Sequence, residues 1–147
     1  MVAFNKYNAF VDEMSKGGHN LQTAVYKIAL SNTGPTGGNG LTDATWSTGL
    51  YPAPTAANGY TAGGNTPTVT SAATASYIFK LVLADSVFTA TAGGIGPFRY
   101  AYLYNSSASN KLVGWYDYGS SITLADTETF TVDYDPTNGA VQMTMTP

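Results

Sequence analysis

Phe98-Arg99-Tyr100-Ala101-Tyr102-Leu103-Tyr104 places an aromatic ring at every second position. Side chains along an extended strand point alternately to the two faces of a sheet, so these four rings share one face. The row therefore predicts a strand with a buried aromatic face and a wetter opposite face. The same period recurs on both sides of it. Tyr77, Phe79, Leu81 and Leu83 alternate with Ile78, Lys80 and Val82. Leu112 to Tyr118 reads as another aromatic-rich strand. Phe130, Val132 and Tyr134 alternate with Thr131 and Asp133, and Val141, Met143 and Met145 with Gln142 and Thr144. Turn residues cluster at Gly93-Gly94, Asn105 to Asn110, Gly119 to Ser121 and Asp135-Pro136-Thr137-Asn138-Gly139. Short strands separated by such clusters predict an all-β fold, an antiparallel β-sandwich or jelly roll, rather than βαβ units.

Upstream the pattern changes. Thr23 to Leu30 is short, β-branched and aromatic, and reads as one more strand. Residues 32–68 are rich in Gly, Pro, Thr, Asn and Ala, a loop-rich stretch for which Trp46, Leu50, Tyr51 and Tyr60 offer anchors. Tyr7, Phe10, Val11 and Met14 fall at i, i+3, i+4 and i+7, which predicts a short N-terminal helix with Asn5 as N-cap and Gly17 as its stop. A helix that short must dock its apolar stripe, on its own β domain or on a neighbouring subunit. The 147 residues suit one domain: an arm and helix over 1–20, strand 23–30, the loop-rich 32–68, and a β core over 69–147.

Charged residues make up only 10% of the chain, against roughly 25% in ordinary soluble domains. A surface so poor in charge is weakly protected against association, which suits a protein that meets other subunits; a secreted or simply polar β protein is the plainer alternative. Six scattered Lys and Arg offer no basic stripe for nucleic acid. The N-terminus does not read as a signal peptide, and no stretch reaches the length of a membrane-spanning helix. The chain contains no cysteine, so disulfides and thiolate chemistry are excluded.

Candidate chemistry is sparse. His19, the single histidine, reads as a solvated or capping residue at the helix exit, and no Gly-x-Ser-x-Gly turn supports a triad. Asp133 and Asp135, like Asp126 and Glu128, are spaced two apart and read as solvated faces rather than a glycosidase pair. Asp133 to Gly139 approaches a calcium loop but misses its spacing, and a hairpin turn accounts for Pro136 and Asn138-Gly139. Gly93 to Pro97 lacks the Lys-Ser/Thr ending of a phosphate loop and reads as an ordinary loop between strands. The expectation is a protein that is not an enzyme, with no catalytic residue, metal or cofactor. Tyrosine, at eleven residues, is the excess to explain. Core and cross-strand pairs explain it, as do subunit interfaces, where tyrosine is enriched.

Several blocks resemble small virion proteins of tailed bacteriophages. They are Asn5 to Asp12, His19-Asn20-Leu21, Tyr26 to Asn32, Asn58 to Gly64, Phe98 to Asn105, Leu112 to Gly119 and Thr129 to Tyr134, together spanning nearly the whole chain. None is a catalytic signature. The chain is similar to capsid decoration (cement) proteins, although similar chains are also tail or minor structural proteins. The resemblance implies a virion structural protein on the capsid surface that binds the major capsid protein, bridges capsomers and self-associates as a trimer. It implies no catalytic residue to carry over; the scattered Lys and Arg and the lack of a long apolar stretch are what argue against a nucleic-acid or membrane partner. The alternative is a tail or fibre-associated adhesion component. The candidate contact residues are Phe4, Tyr7 and Phe10 in the N-terminal segment and Trp46, Tyr51 and Tyr60 in the loop-rich stretch.

Overall fold

The computed structural model describes residues 2–36 and 44–145. Part of the loop-rich stretch, 37–43, lies outside them. Along the chain run β1 (Phe4–Lys6), α1 (Asn8–Ser15), β2 (Tyr26–Ser31), β3 (Val69–Ala75), β4 (Ile78–Leu83), β5 (Ser86–Thr89), β6 (Ile95–Asn105), β7 (Lys111–Leu124), β8 (Thr129–Val132) and β9 (Val141–Thr144). Among the described residues the fold is mostly β, with antiparallel pairing throughout and one short α-helix. The strands form a four-stranded sheet in the order β1-β7-β6-β2, a three-stranded sheet β3-β4-β9, and the pair β5-β8.

The aromatic row lies in β6, whose ladder with β7 runs from Ile95 opposite Leu124 to Asn105 opposite Lys111. Its burial is deeper than period-two alternation predicts. Ala101 and Leu103 are as enclosed as Tyr102 and Tyr104, and Tyr100 alone of the row is half-exposed. Both faces of β6 are covered because the segment from Trp46 to Gly63 lies over the tyrosine side. Trp46 stacks on Tyr104 with ring centres 4.8 Å apart, and Tyr51 lies 4.3 Å from Tyr102. Tyr104 Oη donates to the Gly63 carbonyl at 2.7 Å. Removing a ring of this size from water contributes about 2 kcal/mol, so the belt is held by packing rather than by secondary structure. Gly64 at its end has φ +80°, and a Cβ there would collide with the Ile28 carbonyl oxygen. Only glycine allows the chain to approach β2 this closely.

Local readings shift in several places. Strand 23–30 is observed as 26–31. Leu50 is exposed and anchors nothing, unlike Trp46, Tyr51 and Tyr60. The residues Gly119 to Ser121 do not end a strand: β7 continues to Leu124, but its ladder with β6 shifts register between Asp117 and Ile122, and Gly119, at φ +82°, lies in that break. Likewise Ile95-Gly96-Pro97 belongs to β6 rather than to a loop. Asp135 to Gly139 is a turn but not a hairpin. It carries the chain from β8, paired with β5, to β9, paired with β4.

The helix is N-capped by Tyr7 rather than Asn5, which belongs to β1. Its buried face is Ala9 and Phe10 with half-buried Met14, whereas Val11 is 61% exposed. It docks on its own domain. Phe10 meets the His19 ring at 5.0 Å, and Glu13 pairs with Lys111 at the start of β7. One cluster of buried side chains takes in residues from all three sheets, α1 and the belt.

Candidate functional site

The structure corrects most of the candidate contact set. Tyr7, Phe10, Trp46, Tyr51 and Tyr60 are enclosed by the chain's own core. Tyr7 packs 4.7 Å from Trp115, and its Oη lies 3.2 Å from Tyr51 Oη. Tyr60 Oη accepts from the Leu30 amide at 3.1 Å, and its ring stacks toward Phe88. Phe4 alone keeps a partly exposed ring, 5.1 Å from Tyr116. These rings are unavailable to a partner because β6 and β7 need a cover, and the belt and helix supply it.

The apolar groups that do face outward lie elsewhere. Ser76 and Tyr77 form the two-residue tip of the β3–β4 hairpin, both at positive φ, +49° and +64°. Two-residue hairpins favour this geometry, but they normally place Asn or Gly in it. Tyr77 is held there 67% exposed. The Met145 amide donates to the Tyr77 carbonyl at 2.8 Å, which brings the 54% exposed Met145 beside it. Met143 lies opposite half-buried Phe79 in the β4–β9 ladder. Phe79 and Met143, with Met14, His19 and Leu21, line a surface cleft of about 350 Å³. Tyr77, Phe79, Met143 and Met145 thus form an exposed apolar strip at one end of the three-stranded sheet. The sequence contained a sign of it. The alternation through Tyr77 and through Met145 runs past the last buried residue on each strand, where a core no longer needs it.

The titratable groups are dispersed. His19 is buried, not solvated: its Nδ1 lies 3.3 Å from Asn105 Nδ2, and its Nε2 has no partner among the described residues. Burial, and then the Lys111 charge, push its pKa down, with Glu13 opposing. Arg99 and Asp117 make a two-pronged pair across β6 and β7 at 2.7 and 2.8 Å, partly exposed, with the guanidinium 5.1 Å from the Tyr100 ring. That pair holds the Asp117 carboxyl below its ordinary range. Val2, Tyr116, Tyr118, Thr131 and Asp133 line a second surface cleft of about 310 Å³. Burial, followed by the Asp133 charge, pushes the Tyr118 phenol up to about 12, so it stays a neutral hydrogen-bonding group at ordinary pH.

The run read against a calcium loop is organised by its own hydrogen bonds. Asp135 Oδ1 accepts from the amides of Thr137 and Asn138, and Oδ2 from Asn138 Nδ2. Glu128 Oε2 is occupied by the Ala125 amide. Among the described residues no three His, Asp or Glu side chains gather in a geometry fit to hold a metal ion. None of their helices is long and apolar enough to cross a membrane. Comparisons with protein-family models, with curated proteins and with solved structures found no match.

Proposed function

We propose that this chain is a structural protein of a tailed-bacteriophage virion. In this reading it decorates the capsid surface and bridges neighbouring subunits of the major capsid protein, as a trimer, by contact and without turning over a substrate. The observation that carries the reading is the exposed strip of Tyr77, Met143 and Met145 on a chain so poor in charge. Such a surface gains by being covered. The sequence blocks quoted above supply the kind of partner. A protein that binds only the assembled shell stabilises it by mass action. We also read the packing of the sheets about a common core as a β-sandwich of jelly-roll type.

The test is to add purified chain to expanded heads stripped of their decoration. Binding in hundreds of copies per head, with greater resistance to heat or chelators, is the expected result. Tyr77→Ser combined with Met145→Ser should weaken that binding without changing the fold, since both side chains face solvent. A few dozen copies confined to the tail would replace this reading with the tail or fibre component. Failure to bind any particle, together with turnover of a small substrate, would overturn both.

A further inference from the structure

Open sheet edges offer unpaired amides and carbonyls to any extended chain, and soluble proteins guard them with charge, proline, short strands or a covering segment. The edges of this molecule differ in how they are guarded. β1 is three residues long and ends in Lys6. The outer edge of β2 is covered: the Ile28 amide donates to the Asn65 carbonyl at 2.9 Å, the Asn65 amide returns the bond at 3.0 Å, and Tyr60 Oη takes the Leu30 amide. β5 is four residues long, and its Val87 carbonyl is taken by Asn65 Nδ2 at 2.8 Å. β9 is also four residues long.

β3 is the exception. It is seven residues long, Val-Thr-Ser-Ala-Ala-Thr-Ala, with no charge, proline or glycine. Its inner side pairs with β4, and no described residue pairs with its outer edge. Thr70, Ser71, Ala73, Thr74 and Ala75 are exposed. The single irregularity, between Val69 and Ser71, leaves Ser71 to Ala75 in regular register. We propose that β3 is the edge through which two copies of the chain join, Ser71–Ala75 of one pairing antiparallel with the same segment of the other about a two-fold axis.

The occupant follows from charge and size. In a two-fold pair centred on Ala73 that residue faces its own copy, and the residues around it face one another's copies, so a net charge on the strand would be doubled across the seam, at a cost. From Asp43 to Lys80 the sequence between them holds no charged residue at all, so self-pairing meets no such penalty. The side chains are Ser, Thr and Ala, which leave both faces of the joined sheet unobstructed. The nearest charge, Lys80 opposite Ala73 on β4, donates to the Thr137 carbonyl at 2.8 Å, so the edge strand itself gives a partner selected by charge nothing to recognise. The contact does not depend on the virion reading. It links copies in pairs, whether or not they also form rings of three through another surface.

The experiment uses the full chain. Sedimentation should show an even-numbered assembly that dissociates on dilution. Ala73→Lys, at an exposed position, should weaken it by about tenfold or more while leaving the circular dichroism spectrum unchanged. Single cysteines at Ala72, Ala73 and Thr74 supply a readout that needs no loss of stability, because the native chain has none. Opposed residues of an antiparallel pair have Cα atoms about 4.5–5.5 Å apart, within disulfide range. Mild oxidation should therefore give a covalent dimer that peaks at one of the three positions, and none from Val11→Cys on α1. A chain that is monomeric at every concentration overturns the inference. So does an assembly that Ala73→Lys leaves intact and that none of the three cysteines cross-links.

Discussion

The sheet β1-β7-β6-β2 and the sheet β3-β4-β9 come from one chain but use their surfaces in opposite ways. In the first, Tyr26, Tyr102, Tyr104 and Trp115 are enclosed, and the belt from Trp46 to Gly63 covers what the strands leave open. In the second, Leu81, Leu83 and Val141 reach the core, while β3 carries small neutral side chains and the far end carries Tyr77, Met143 and Met145 in solvent. Large aromatics mark the sheet that closes on itself. Small side chains on β3, and an exposed Tyr77 beside flexible methionines, mark the one left open. Most tyrosines here thus serve interior packing, and Tyr77, at the end of the open sheet, is the one that stands in solvent.

The contrast makes unequal demands on the two sheets. Tyr102→Ala should have the largest effect, a loss of about 3–5 kcal/mol in denaturant titration, because it empties a site packed by Tyr51 and removes the bond to the Thr33 carbonyl. Thr74→Ala in β3 should stay within about 0.5 kcal/mol. Equal costs at the two positions would break the comparison.

Next in size comes the hairpin tip. Ser76→Asn with Tyr77→Gly matches the positive φ values and should stabilise the fold by about 1 kcal/mol, seen as a higher Tm. The same change should weaken particle binding if Tyr77 is kept for contact, which would sharpen the contrast into a trade of stability for function. Unchanged binding would remove Tyr77 from the strip.

A smaller, pH-dependent effect tests the closed side. Burial lowers the His19 pKa, so the folded state favours the neutral ring. Its contribution is complete above the unfolded value of about 6.5 and is lost as pH falls through the lower folded value. Unfolding free energy should therefore decline below about pH 6.5, and His19→Gln should flatten that part of the profile. An unchanged slope in the variant would mean that other groups control it.

Much of this was legible in the residues. Alternation located β4, β6, β8 and β9, and the apolar spacing located α1. Strand ends were harder to read. Gly119 and Gly96-Pro97 look like strand ends in isolation; each instead marks a register shift inside a strand, because pairing resumes on its far side. His19 looked solvated beside two glycines, but Phe10 and Asn105 enclose it from distant parts of the chain. Five of the six candidate contact residues are enclosed for the same reason. A tyrosine in a loop-rich stretch is equally suited to a partner's surface and to its own sheet, and nothing local distinguishes the two.

Local pattern alone was enough to establish strands of period two, one short amphipathic helix and a surface with little charge. Those properties depend on neighbours a few residues away and on side-chain chemistry. Which face of β6 would be roofed, which edge would stay open and which aromatics would meet solvent depended on contacts between segments far apart in the chain. A side chain's burial is a property of what folds over it, and that is settled only when the sheets and the belt come together.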